Sequence, residues 1–91
     1  MLLRIRRSGR FKRNVKRVDK EVISILRTKL EIFVKDPFYP SLGTKKIKHS
    51  DRIYELRINR DIRVTWQYDK ENEDTIILTQ LSKKSLKITT F

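Results

Sequence analysis

The stretch Tyr54–Tyr68, YELRINRDIRVTWQY, holds two alternating patterns on either side of Asn59-Arg60-Asp61. Before that break Tyr54, Leu56 and Ile58 are apolar, while Glu55, Arg57 and Asn59 are polar. After it Ile62, Val64, Trp66 and Tyr68 are apolar, while Arg63, Thr65 and Gln67 are polar. A period of two on both sides of a turn predicts two half-buried strands joined as a hairpin. Placing Asn59 opposite Asp61 sets Arg57 against Arg63, Glu55 against Thr65, Leu56 against Val64 and Tyr54 against Trp66. A slip of one residue would mix the two faces, so burial selects this register. It sets two guanidiniums side by side on an open sheet face. Like charges in directly opposed positions cost roughly a few tenths to about 1 kcal/mol, so the pair points to an anionic guest.

The rest of the composition agrees. A formal net charge of +12 on 91 residues makes a polyanion the default partner, nucleic acid or the ribosome before a membrane surface. A chain this short builds one core, so 1–91 reads as a single domain. There is no cysteine for a disulfide, a thiolate metal site or a thiol nucleophile, and His49 is the only imidazole. No segment is apolar and long enough to span a membrane. The opening MLLRIRRSGR has no apolar core or cleavage site of a signal peptide, which points to the cytoplasm.

Working outward from the hairpin, Leu2–Arg6 alternates apolar and basic and predicts a short strand. Ser8 is placed to cap a helix from about Arg10 to Val18, with Phe11, Val15 and Val18 on one stripe. Asp19 is placed to cap a second, from Lys20 to about Lys35, ended by Asp36-Pro37. Thr44–Lys48 predicts a strand with Lys46 and Lys48 on one face and Ile47 on the other. Asp69–Asp74 is a mostly acidic loop, and Thr75–Leu81, TIILTQL, is apolar on both faces, as in a central strand covered from both sides. The order is β-α-α-β-β-β-β. The expected architecture is α+β: a small, antiparallel-rich sheet with two N-terminal helices on its apolar face and its basic face open.

This arrangement resembles the RelE/ParE superfamily, the toxin halves of type II toxin–antitoxin systems. The likeness spans nearly the whole chain. TKKIKHSDRIYELRINRDIRVTWQY carries it most specifically, with IILTQLSKK as the last strand and the basic turn after it. The resemblance implies a RelE-like mRNA interferase, an endoribonuclease acting on ribosome-bound messenger and held inactive by a cognate antitoxin protein. Its chemistry uses the substrate's own 2′-hydroxyl and needs no metal or other cofactor. The demands on the protein are in-line positioning, stabilisation of charge on the phosphate, and proton transfer at both ends. Arg63 matches the family's hairpin arginine and Arg57 a basic position on the preceding strand. Glu55 stands where a RelE toxin has a lysine, and Lys84 where members carry a functional Arg or His. Near the C-terminus, where many have a catalytic Tyr or His, this chain reads KITTF. The ParE branch, which inhibits DNA gyrase and needs no proton-transfer set, is the alternative, beside a catalytically weak RNA-binding member.

Each candidate has a plainer structural reading. Arg57 and Arg63 clamp phosphate, or they are a solvated face with Glu55 as counter-ion. Glu55 is a general base or a structural ion pair, and flanking guanidiniums make a carboxylate a poorer base. Lys46 and Lys48 suit RNA backbone contact, or one of them serves as a base; His49 is a proton-transfer group or an exposed loop residue. Lys83 and Lys84 bind RNA or form a solvated run. The basic cluster from Arg4 to Arg17, with Arg10, Arg13 and Arg17 on its helix, meets ribosomal RNA, an acidic antitoxin segment or only water. Trp66 and Tyr54 are expected in the core, leaving Tyr68 and Tyr39 as stacking candidates.

Overall fold

The computed structural model describes residues 2–48 and 50–83. His49, Lys84 and the terminal KITTF, all singled out above, lie outside the described residues. Strand β1 (Arg4–Arg7) leads into helix α1 (Gly9–Val15) and helix α2 (Lys20–Phe33). A 3-10 turn (Pro40–Leu42) precedes β2 (Lys45–Lys46), β3 (Tyr54–Arg57), β4 (Ile62–Tyr68) and β5 (Thr75–Lys83). The five strands form one sheet in the order β1-β5-β4-β3-β2. β1 runs parallel to β5 and every other pairing is antiparallel. The α+β architecture is as expected from the sequence.

Local chemistry explains the helix ends. Ser8 has extended backbone, and its Oγ accepts from the Phe11 N–H at 3.0 Å, satisfying one of the free donors of the first turn. α1 stops at Val15, three residues before Val18, because Arg17 N bonds Asn14 O and Val18 N bonds Val15 O. These tighter three-residue steps end the α-helix and bring the chain round to Asp19. α2 ends at Phe33, ahead of Lys35, where Lys35 N and Asp36 N both turn to the Ile32 carbonyl.

The hairpin register is the one read from the sequence: Tyr54–Trp66, Glu55–Thr65, Leu56–Val64 and Arg57–Arg63 are paired. Ile58 N to Ile62 O closes it, and the Asn59 side chain accepts from the N–H groups of Asp61 and Ile62, an Asx turn. One sheet face is fully buried: Leu56, Val64, Trp66, Ile76 and Leu78 sit under Phe11 of α1 and Leu26 and Phe33 of α2. Each large apolar side chain buried there contributes about 1.5–3 kcal/mol relative to exposure. Leu42, in the 3-10 turn, is also fully buried. Thr44 anchors the loop around that turn by donating its hydroxyl to the Pro37 carbonyl.

β5 differs from expectation. It is an interior strand, but helices cover only one of its faces, and Ile77 remains half-buried on the other. Its pairing with β4 steps from Thr65–Gln80 to Trp66–Leu78, so Thr79 is an extra residue. The bulge sends both Leu78 and Leu81 into the core, which strict alternation forbids. The Thr79 hydroxyl bonds the Thr65 carbonyl and lies 2.7 Å from the Thr65 hydroxyl.

β1 ends at Arg7, opposite Leu78, so the far half of β5 has no neighbouring strand on that side. Helix α1 takes over as partner: Ser8 Oγ donates to the Thr79 carbonyl, and the Asn14 Oδ1 accepts from the Leu81 N–H at 3.0 Å. Asn14→Ala leaves that amide unpaired and is expected to cost about 1–3 kcal/mol. Urea denaturation followed by far-UV circular dichroism checks it, with exposed Lys12→Ala as the control within about 0.5 kcal/mol.

Candidate nucleic-acid interface

The face of the sheet away from the helices carries two rows of polar side chains. One row crosses Lys45, Glu55, Thr65 and Gln80 on β2, β3, β4 and β5. The next crosses Arg57, Arg63 and Ser82. Arg57, Arg63 and Glu55, three residues singled out in the sequence, are therefore brought onto one face by strand pairing.

The two arginines are not equivalent. Arg63 has a side chain only 12% exposed, and its Nη1 donates to the carbonyls of Asn59, Arg60 and Ile62 at 2.7, 3.2 and 3.2 Å. Its Nε lies 3.8 Å from the Glu55 carboxylate, a loose ion pair. The guanidinium thus closes the β3–β4 turn while charging the face. Arg57 is exposed and has no ion pair or side-chain hydrogen bond among the described residues. Its guanidinium lies against Gly43, which continues the line of β2 opposite Arg57. Gly43 has φ +60°, and a Cβ there would come within 3.3 Å of the Arg57 Nε and Nη2. Glycine is thus favoured by the left-handed backbone, and a Cβ would also press on the Arg57 guanidinium, which would have to shift by a few tenths of an ångström. Gly43→Ala is expected to cost about 1–2 kcal/mol from the backbone alone and to displace Arg57. Thermal melts beside RNA-binding isotherms read the two effects separately.

β2 is shorter than Thr44–Lys48. Gly43 turns the chain just before it, and just after it Ile47 N bonds Ile53 O and Ser50 N bonds Ile47 O in place of further ladder bonds. Lys46 pairs with Tyr54, so it lies on the apolar side of the sheet, its ammonium 6.0 Å from the Tyr54 ring centre. Lys45, which the sequence reading did not select, pairs with Glu55 and shares the open face with it. Expecting alternation from Thr44 was sound, but the residues facing the arginines depend on a non-local pairing. Lys45, Lys46, Ile47, Lys48 and Glu55 line a shallow cleft of about 350 Å³.

The remaining candidates are spread out. Lys83 pairs with Ile62, on the helix side of the sheet, and lines a hollow of about 170 Å³ with Arg17. Arg10 reaches Gln80 Oε1 at 3.4 Å, and Arg13 packs over Gly9. Arg10, Arg13 and, in the turn after α1, Arg17 are all exposed. Tyr54 and Trp66 are stacked at 4.7 Å as core residues, with Tyr54 partly buried; Tyr39 and Tyr68 are exposed. Burial, then the neighbouring Tyr54 phenol, pushes the Tyr68 phenol above its ordinary value near 10. Asp69 is held below the usual carboxylate range, first by the Glu71 backbone N–H and also by Arg6 at 2.7 Å. Among the described residues no helix is long and apolar enough to cross a membrane.

No family model and no curated protein matches the sequence. Solved structures do. The archaeal RelE–RelB complex from Pyrococcus horikoshii aligns over 94% of this chain and 99% of that one, with a TM-score of 0.76 at 15% identity. The fold is that of the RelE-type toxins. The toxin–antitoxin complex DinJ–YafQ of E. coli aligns with a TM-score of 0.74 at 10% identity, over 98% of this chain and 100% of that one. The YoeB dimer of Staphylococcus aureus aligns at 0.73 and 20%, over 90% and 97%. The RelE-type fold is therefore kept by a sequence only 10–20% identical to these structures, in which the arginine-bearing hairpin runs through the middle of the sheet.

Proposed function

We propose that this chain is the toxin of a type II toxin–antitoxin pair and an endoribonuclease that cuts messenger RNA on the ribosome. The observation that carries this reading is the open sheet face of a RelE-type fold, bearing Arg57, Arg63 and Glu55. Two guanidiniums held side by side suit a phosphate that gains charge in an associative displacement, because Arg offers fixed, always-protonated donors. The reaction is attack of the substrate's own 2′-hydroxyl on the adjacent phosphorus. The O2′–P bond forms and the P–O5′ bond breaks, leaving a 2′,3′-cyclic phosphate and a 5′-hydroxyl.

Arg57 grips the phosphate oxygens, and Arg63 adds its field from a fixed position. Glu55 is the carboxylate available on this face to accept the 2′-hydroxyl proton, with Arg63 holding it in place. Lys84, beyond the described end of β5, is the candidate to protonate the leaving O5′. Arg10 and Arg13 on α1 and Arg17 in the turn after it, with Lys48 and Lys83, attract RNA at long range in a salt-dependent way. The protein works in the cytoplasm, where ribosomes are, and a cognate antitoxin restrains it, as RelB accompanies RelE in the archaeal complex.

The test is to add the purified protein to programmed ribosomes and map the 5′ ends of the messenger, with a gyrase supercoiling assay in parallel. New 5′ ends with supercoiling intact support the nuclease. Intact messenger with blocked supercoiling overturns it in favour of the ParE-like reading.

A further inference from the structure

Charge on the open face is unevenly committed. Arg63 spends its Nη1 on three turn carbonyls, and its Nε faces Glu55. Glu55 in turn has Arg63 on β4 to one side and Lys45 on β2 to the other. Lys45 is exposed, and among the described residues its ammonium makes no ion pair and no hydrogen bond, although it is the cross-strand partner of a carboxylate. It borders the cleft of about 350 Å³ that Glu55 also lines. One strand step away along the same face stands Arg57, equally uncommitted.

Lys45 and Arg57 are thus two neighbouring cations of this face that, among the described residues, are left free for a ligand, on β2 and β3, with Glu55 between the lysine and Arg63. Their spacing follows from the sheet: neighbouring strands lie about 4.8 Å apart and alternate residues on a strand about 6.5–7 Å apart. Successive phosphates of an extended nucleic-acid strand are separated by a similar distance, which two long flexible cations can match.

We infer that Lys45 binds a backbone phosphate of the RNA next to the one gripped by Arg57, so that the strand crosses the open face diagonally with Glu55 beside the sugar between them. This rests on the nuclease reading for its substrate, but the contact itself is measurable without cleavage. Lys46, one residue away and directed toward the Tyr54 ring, makes no such contact. A lysine–phosphate contact of this kind raises affinity for every sequence alike, and each one adds about 0.7 to the slope of log Kd against log salt for a single strand.

The experiment uses the full chain and a fluorescein-labelled single-stranded RNA oligomer, with anisotropy recorded from low to high sodium chloride. Lys45→Ala is expected to weaken binding several-fold at low salt and to lower the slope by about 0.7. Lys45→Arg should keep the slope and Lys46→Ala should leave it unchanged. Unchanged circular dichroism melts show that Lys45→Ala still folds, as an exposed position allows. A slope identical in wild type and Lys45→Ala overturns the assignment, as does an equal fall in Lys46→Ala. Messenger cleavage on programmed ribosomes is scored on the same proteins. Absent cleavage by wild type sinks the nuclease reading while the slope still decides on Lys45. Cleavage by wild type with no change in slope sinks Lys45 alone.

Discussion

Arg57→Ala is expected to lower messenger cleavage by about 10²–10³-fold, the usual loss when one preorganised donor to a developing anion is removed. The geometry makes this a clean substitution. Arg57 is exposed, holds no partner among the described residues, and leans over a glycine that leaves it space. Its loss should change folding stability by no more than about 0.5 kcal/mol. Arg63→Ala makes the instructive contrast. It removes the cation that ties Asn59, Arg60 and Ile62 together and faces Glu55. It should therefore cost both activity and stability, the latter by about 1–3 kcal/mol. Single-turnover cleavage on programmed ribosomes, beside urea melts of the same proteins, separates the two roles. Arg57→Ala cleaving at the wild-type rate would remove Arg57 from the site.

Trp66→Ala should be the most damaging single truncation of the fold. The indole is fully buried, stacked on Tyr54 at 4.7 Å and set edge-on to Phe33 at 4.9 Å and Tyr68 at 5.3 Å. It joins β3, β4 and α2 in one aromatic cluster. Emptying that volume is expected to cost about 3–5 kcal/mol, against a total of about 5–15 kcal/mol for a domain of this kind. Trp66→Phe should cost much less than its lost area suggests. The Trp66 Nε1–H is buried with no hydrogen-bond partner among the described residues. An unmade bond of that sort penalises the wild type by about 1–3 kcal/mol, and phenylalanine has no donor to strand. Urea midpoints from far-UV circular dichroism give the order wild type, Trp66→Phe, Trp66→Ala. A Trp66→Phe loss as large as its lost area predicts would show that the indole nitrogen is satisfied in solution.

The part of this protein legible in one dimension is the part set by short-range periodicity. Alternation over Tyr54–Tyr68 admits a single register that buries Leu56, Val64 and Trp66 together, so Arg57 had to face Arg63. Ser8 capped its helix because a hydroxyl just ahead of a helical stripe is the local solution to a free N–H. Even the element order follows from where the period changes. The limits appear where a residue's surroundings come from far along the chain. Lys45 and Lys46 are identical in local sequence terms, and only pairing with β3 assigns one to each face. The bulge at Thr79 is favoured because α1, some seventy residues earlier, supplies Asn14 and Ser8 to the freed edge of β5. TIILTQL by itself contains no sign of it.

The same division holds for the arginine pair. That the hairpin presents two guanidiniums on an open face was determined by the sequence alone, because side chains two apart on a strand cannot change sides. Which of them is free was decided by tertiary structure. Arg63 is held by carbonyls that converge only when the turn closes, whereas Arg57 rests over Gly43, brought opposite it by β2. Charge is a property of the residue, but its availability depends on which acceptors the fold sets within reach.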